Sequence, residues 1–531
     1  MSRVKLEIEG MTCADCARHV RQGLERAGAR EVRIDWRAGT GMTAADGPGQ
    51  AEMNRALAGT RYRVARVHEP AGDDWPAGGG EHDYDLVVLG SGGGAFAAAI
   101  RARDLGRRVL MVEAATIGGT CVNVGCIPSK SLLVSSLHHD GRPDALARAV
   151  SVKAALVKRL RQDKYIDLLD EYGIELRAGT ARLTGPHSVQ VDEREITAGA
   201  ILISTGARPA IPPIDGLADA GYLTSTTALE VTDAPARLAV IGANAVGLEL
   251  GQMFGGFGTQ VTFLSRRAIT PRSEPEISQT IRDVLERQGH TVLEHAATQR
   301  VRVQDGEKVL EVQVGSETVE VRVDGILVAT GRQPNTENLG LETVGVETDA
   351  RGAIVVDEHQ RTSVPSIFAA GDVSNQPQFV YVAAAGGATA AQNALQGDSD
   401  RLEFANLPQV IFTSPQIARA GLTEAEARER GFEVRTSLLP LEAIPRALVN
   451  RDTTGLFKLI AEADTGRLLG ASIIADSAAE VIQSAVLAIT AGLTVQELAS
   501  TWAPYLTMAE GLKLAAQAFG RDVATLSCCA A

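Results

Sequence analysis

Cys121 and Cys126 are the residues of this chain best suited to chemistry. They stand five positions apart in the run from Ile117 to Lys130, IGGTCVNVGCIPSK, where a glycine pair precedes what reads as a helix start. Near the first turn of a helix, unpaired backbone N–H groups and the helix dipole favour a thiolate. A pair held there is expected to cycle between dithiol and disulfide. Two unrelated buried thiols are the alternative, although cysteine pairs in reducing compartments are more often catalytic or metal-binding than structural.

The other four cysteines also fall into close pairs, Cys13/Cys16 and Cys528/Cys529. A secreted disulfide scaffold would be short and cysteine-dense, and six cysteines in 531 residues are neither. Three separated dithiols look like stations for a soft metal ion or for electrons.

The elements that must position these pairs can be read in order. Residues 4–9 alternate like a strand, and Cys13 and Cys16 follow on a loop. Val20, Leu24 and Ala27 then recur at helical spacing. Val32 and Ile34 suggest a strand, Met53 and Leu57 a second helix, and Tyr62 to Val67 a last strand. This βαββαβ order predicts a ferredoxin-like domain. A CxxC entering a helix can clamp a soft ion linearly through two sulfurs. A thioredoxin-type redox pair is the alternative, though it would want a strand, CxxC, helix unit with a different following run. Residues 69–80 are rich in Gly, Pro and acid without periodicity, which predicts a flexible linker.

Next, an apolar strand from Asp85 runs into Gly90-Ser91-Gly92-Gly93-Gly94-Ala95, then an Ala-rich helix, then a strand ending in Glu113. Gly90, Gly92 and Ala95 form a GxGxxA turn that lets a pyrophosphate approach the backbone at a helix N-terminus. Glu113 is placed to accept hydrogen bonds from ribose hydroxyls. A second unit opens with Gly242-Ala243-Asn244-Ala245-Val246-Gly247, where Asn244 replaces the middle glycine. Asn tolerates left-handed backbone, so the turn is still expected. Its second strand ends in Arg266 and Arg267 and not in an acid, which suits a ribose 2′-phosphate and so favours NADPH over NADH, with solvated surface charges as the alternative. Buried strands end in Thr205-Gly206 and again in Thr330-Gly331, an internal echo that predicts two similar dinucleotide domains, one nested in the other. Asp372, after another apolar strand, can hold a flavin ribityl hydroxyl.

Composition narrows the partners. A formal charge of −13 argues against nucleic acid or anionic lipid as the main partner. No run approaches a membrane span, so stable membrane insertion is not expected. The N-terminus has no apolar signal region, which predicts a cytoplasmic protein.

GGTCVNVGCIPSK, the Gly90 turn, ATGRQPN and AAGDV together resemble the flavoprotein pyridine-nucleotide-disulfide oxidoreductases from about residue 83 onward, and GMTCxxC resembles the heavy-metal-associated domains. The resemblance implies an α/β homodimer using FAD and NADPH, with each active site completed by the partner's C-terminal domain. It assigns Cys126 to the flavin-facing thiolate and Cys121 to the interchange thiol. Thr120, Lys130, Glu249 and Asp372 are implied at the flavin. The expected organisation is a heavy-metal-associated domain (1–69), a linker (70–82), an FAD domain (83–223 and 350–405), an NADPH domain (224–349) and an α+β dimerisation domain (406–531).

Family members that reduce organic disulfides carry a His in a His-Pro-Thr-x-x-Glu run near the C-terminus. Here the matching run is Tyr505 to Glu510, with Tyr505 in the His place, and no histidine follows His359. A phenol with a reference pKa of ~10 replaces poorly an imidazole of ~6.5 as a neutral-pH acid–base group. With the Cys528-Cys529 tail and the N-terminal CxxC, the chain resembles the branch of the family that reduces Hg(II), and the resemblance implies a substrate taken up as thiol complexes and reduced to Hg(0). In that branch two tyrosines stand by the metal, matched here by Tyr165 and Tyr505. Cys13, Cys16, Cys121, Cys126, Cys528 and Cys529 are then the metal-handling thiols. A general disulfide reductase of the same fold, or a soft-metal binding protein, is the alternative reading.

Overall fold

A computed structural model describes residues 3–11, 14–30, 32–35, 39–44, 46–67 and 81–522. Cys13, the predicted linker apart from residues 81 and 82, and the Cys528-Cys529 tail lie outside the described residues. The chain divides into two compact units. One comprises 1–127, 154–208 and 332–402; the other comprises 128–153, 209–331 and 403–531.

In the first unit, strands Arg3–Glu9, Arg33–Asp35, Thr40–Ala44 and Arg63–Val67 form an antiparallel sheet with the second strand at one edge, then the third, first and fourth. Helices Ala14–Arg26 and Gln50–Ala56 complete the βαββαβ order. Alternation along the first strand and helical spacing along Ala14–Arg26 converge on one small core, with Leu6, Val20, Leu24, Met53 and Val64 fully buried.

The same unit holds a parallel sheet in the order Glu175–Ala178, Val109–Glu113, Tyr84–Leu89, Arg194–Ile203 and Ile367–Ala369. Val109–Glu113, Tyr84–Leu89 and Ile367–Ala369 are mostly apolar and buried because both faces are covered there, whereas the edge strand Glu175–Ala178 is only half-buried. Helix Gly93–Asp104 packs against Val380–Gln396 at small residues. A Cβ on Gly387 would stand 1.9 Å from the Gly94 carbonyl oxygen, so these two backbones touch directly.

In the second unit, Leu223–Thr224, Gly325–Val328, Arg237–Ile241, Gln260–Leu264 and Thr291–Leu293 form another parallel sheet. It is followed by a five-stranded antiparallel sheet between Gln409 and Ala475, covered by Ala478–Thr490 and Glu510–Gln517. The architecture is therefore α/β with two dinucleotide-type sheets, an α+β C-terminal domain and a ferredoxin-like leader. Among the described residues no helix is long and apolar enough to cross a membrane.

Candidate active site around the Cys121 and Cys126 thiols

The five-residue spacing is built from two helix starts. Gly118 (φ 100°) caps helix Gly119–Val124, which places Cys121 in its first turn. The helix breaks at Gly125, and a new helix, Cys126–Leu137, begins on the second cysteine. A Cβ on Gly125 would lie 2.9 Å from the Thr120 carbonyl oxygen and 3.1 Å from Cys121 Cα. The chain thus folds back on the first thiol as it presents the second. Both cysteines are thiols and not a disulfide; Cys121 is half-buried and Cys126 exposed. Both sit where helix N-termini favour thiolate.

Asn123 staples this loop. Its Nδ2 donates to the carbonyls of Ile117 and Gly119, both at 2.9 Å, and its Oδ1 accepts from Arg161 Nη1 at 3.1 Å. Asn123 lies inside the GGTCVNVGCIPSK motif without a role having been assigned to it, and Arg161 carried no motif signal.

Tyr165 belongs to this site. It lies on a π-helical turn, Gln162–Ile166, between helices Ala145–Arg161 and Asp167–Tyr172. Single π turns inside α-helices re-aim side chains, often at functional sites. A Cβ on Gly118 would be 3.3 Å from Tyr165 Cγ, so the ring presses on the glycine pair, and Phe96 meets it edge-on at 4.9 Å. Burial, with the neighbouring Cys121 and Cys126 thiols, raises the Tyr165 pKa above its ordinary value. Tyr381, which sequence reasoning missed, is pushed up to about 12 by burial and by Cys126. It opens helix Val380–Gln396, stacked on Phe379 at 5.2 Å. An aromatic pair ahead of an Ala/Gly-rich helix was its only sequence signal.

The residues expected to hold FAD fit that cofactor. Gly90 has φ 110°, and a Cβ there would strike the Ser204 carbonyl oxygen at 2.4 Å. A Cβ on Gly92 would meet only Gly119 Cα, at 3.8 Å, so the turn leaves an open cradle at the start of helix Gly93–Asp104, near Ala95. Glu113 ends its strand, accepting from Ser91 Oγ at 2.5 Å and from the Ala115 N–H at 2.7 Å. A carboxylate has further lone pairs for a ribose. Asp372 lies 3.3 Å from Arg332 Nε, a buried atom without a hydrogen-bond partner, and burial raises its pKa against the pull of Arg332. Arg332 also reaches Thr120 Oγ1 at 3.4 Å. Gly206 turns with φ 70°.

In the second unit, Lys130 Nζ pairs with Glu249 at 2.5 Å and stands 4.8 Å from the Phe412 ring centre. Glu249 also accepts the Phe412 N–H at 2.9 Å. The nucleotide turn has Gly242 at φ 104°, and a Cβ on Gly247 would stand 1.9 Å from the Gly242 carbonyl oxygen. Asn244 corrects an expectation: its φ is −98°, ordinary extended backbone, so no left-handed tolerance is needed. Arg266 and Arg267 are exposed just past strand Gln260–Leu264, as a site for a 2′-phosphate requires. Gly331 has φ 119°, and a Cβ there would meet open space. Tyr505 is 64% exposed beside the fully exposed Trp502.

A dithiol on helix starts beside an FAD-type turn, in a chain with a second nucleotide turn, defines a class of protein. Residues 84–387 match the pyridine nucleotide-disulphide oxidoreductase family and residues 407–516 match its dimerisation domain. The chain belongs to that family, whose members use FAD and NADPH. Within it, the chain is 44% identical over 543 residues to the mercuric reductase of Staphylococcus aureus, covering 99% of each chain. It is 50% identical over 468 residues to the mercuric reductase of Streptomyces lividans, covering 84% of this chain and 98% of that one. The HOCl-induced flavoprotein disulfide reductase RclA from Escherichia coli is similar in structure, with a TM-score of 0.76 and 32% identity over 82% of this chain and 99% of that one.

Proposed function

We propose that this protein reduces Hg(II) to Hg(0) with NADPH at the Cys121/Cys126 pair, in the cytoplasm and as a homodimer. The observation that carries the reading is the dithiol with Tyr165 pressed against it, in a chain whose C-terminal run has Tyr505 where an organic-disulfide reductase needs a histidine. FAD, when bound, relays the reducing equivalents of NADPH to this site. Gly90, Gly92, Ala95, Glu113, Thr120, Lys130, Gly206, Glu249 and Asp372 serve that cofactor. Gly242, Gly247, Arg266, Arg267 and Gly331 serve NADPH.

The chain's own thiols carry the substrate. Cys13 and Cys16 capture Hg(II) from small-thiol complexes and hand it to Cys528 and Cys529 of one subunit. Those thiols pass it to Cys121 and Cys126 of the other. Each handover is ligand exchange, in which an incoming thiolate displaces an outgoing one. On taking up two electrons the metal becomes neutral, loses its affinity for thiolate and leaves.

In the first domain, Arg61 Nη2 donates to Cys16 Sγ at 2.9 Å, which favours the thiolate form needed for capture. Tyr165, with its raised pKa, stays neutral at pH 7 and donates a hydrogen bond toward thiolate or metal complex without adding charge. Tyr505 and Trp502 are exposed and lie within the stretch that matches the dimerisation domain.

The test is NADPH oxidation by purified protein in excess small thiol, with Hg(II) added last. Stimulation with release of mercury vapour is expected. No stimulation, but turnover of glutathione disulfide, would overturn the reading in favour of a general disulfide reductase.

A further inference from the structure

The ferredoxin-like domain meets the rest of its unit through a charged contact. Arg21 lies five residues beyond Cys16 on helix Ala14–Arg26. Its Nη2 stands 2.9 Å from Asp170 Oδ2, and its Nη1 stands 3.3 Å from Asp167 Oδ1. Gln162 Nε2 donates to the same Asp167 oxygen at 2.8 Å. Helix Ala14–Arg26 and strand Arg33–Asp35 both pack on helix Asp167–Tyr172, which directly continues the π turn that carries Tyr165.

The contact is only partly withdrawn from water. The Arg21 side chain is 20% exposed, Asp170 12% and Asp167 40%, and Arg21 Nε is buried with no hydrogen-bond partner. A guanidinium placed between two carboxylates at a part-buried seam gains more than an exposed pair would. Removing one partner leaves the other charge uncompensated.

We propose that Arg21 with Asp167 and Asp170 is a docking clasp, which holds the metal-carrying domain on the flank of the thiol site and speeds transfer of Hg(II) from Cys16 to the other thiols of the enzyme. This rests on the metal-carrying role assigned above. At 1.5 Å of rise per residue, Arg21 sits about 7.5 Å along its helix from Cys16. Asp167 and Asp170 follow Tyr165 by two and five residues. The clasp therefore joins the end of the domain that carries the ion to the segment that borders Cys121.

Belonging to the same chain keeps the domain at an effective concentration on the order of mM. A weak contact is then well populated. Being ionic, it is also screened by salt and releases the domain for reloading. In the transfer itself an S–Hg bond to the receiving thiolate forms as the Cys16 S–Hg bond breaks. No electrons move, and the proton of the incoming thiol leaves to solvent while the freed thiolate takes one up.

The experiment uses full-length holoenzyme. Pre-reduced protein is mixed in stopped flow with one equivalent of Hg(II) in a small excess of thiol, and the component of flavin reoxidation lost in Cys16→Ala is measured. Arg21→Glu and Asp170→Arg should each cut that component at least fivefold. The double variant should regain more than half of it, and high salt should slow the wild type as Arg21→Glu does. Turnover with a large excess of thiol-bound Hg(II) should stay within twofold in all three, and stoichiometric Hg(II) binding shows the domain is folded. An unchanged or faster Cys16-dependent component in Arg21→Glu, or none in the wild type, overturns the clasp. A wild type with no Hg(II)-stimulated NADPH oxidation instead overturns the functional reading beneath it.

Discussion

At Gly90 and at Gly242 the chain makes the same turn twice, with different residues at its centre. The two opening glycines have φ of 110° and 104°, and a Cβ on either would strike a carbonyl oxygen at 2.4 Å, that of Ser204 or of Ala329. Each oxygen belongs to the residue just past a neighbouring parallel strand, so the first glycine is demanded by the sheet itself. The central positions, Gly92 and Asn244, have φ of −78° and −98° with ψ of −172° and −173°. Neither backbone requires glycine. What separates the turns is the neighbour. In the first, the thiol-bearing loop closes on the turn, and a Cβ on Gly119 would lie 2.5 Å from Gly92 Cα. In the second, Asn244 is exposed, and its side chain has room. The glycine that close approach demands is therefore Gly119 and not Gly92, whose own Cβ would meet Gly119 Cα only at 3.8 Å, and the turn's fixed requirement is the backbone sign at its first position.

The largest effect is expected at the thiols, which border the first turn. Cys126→Ser should lower Hg(II) reduction by roughly 10³-fold or more, while bound FAD remains reducible by NADPH in anaerobic absorbance spectra. If FAD is lost instead, the thiol loop builds the cofactor site and the two roles are not separable. Next, Gly119→Ala adds a clash and a left-handed strain together, worth about 2–4 kcal/mol. It should lower Tm and FAD retention, whereas Asn244→Ala should change Tm by less than a degree or two. Equal effects would mean that close approach does not distinguish the turns.

Arg266→Ala/Arg267→Ala tests the second turn's specificity. Each charged hydrogen bond contributes about 1.5–3 kcal/mol, so KM for NADPH should rise roughly 10–100-fold while KM for NADH holds. A parallel rise for both would place the arginines outside the 2′-phosphate site. The smallest effect is expected at Glu510, in neither turn. It is 4% exposed with Oε2 unpartnered, and burial raises its pKa. The fold favours the protonated acid, so its stabilising contribution is present at low pH and is lost as pH rises through the raised value. Glu510→Gln should raise Tm slightly at pH 8 and leave it unchanged near pH 4. A loss of stability at both would show that the carboxyl makes a specific contact that the amide cannot replace.

Much of this molecule was legible in its residues because the signals were local. Strand, glycine turn, helix and terminal acid follow one another within about thirty residues, and the alternation in 4–9, the helical spacing after Cys16 and the short apolar signals up to Val67 sufficed for the βαββαβ order. The three cysteine pairs and the Tyr505 replacement are likewise statements about neighbours in sequence. They set the class of chemistry before any packing is known.

Tertiary structure decided what distant segments do to one another. Tyr165 was marked only by resemblance, and the π turn is what aims its ring at Gly118. Tyr381 comes to Cys126 from more than 250 residues away, and Asn123 and Arg161 meet across 38 residues to staple the thiol loop. Asn244 looked like a residue chosen for unusual backbone and proves to sit exposed in ordinary extended backbone. Residue types and short spacings declare what a chain is able to do, because helix ends, thiolates and phosphate turns are built locally. Which side chains share one site, and how closely they press, depends on contacts between segments that no local spacing encodes.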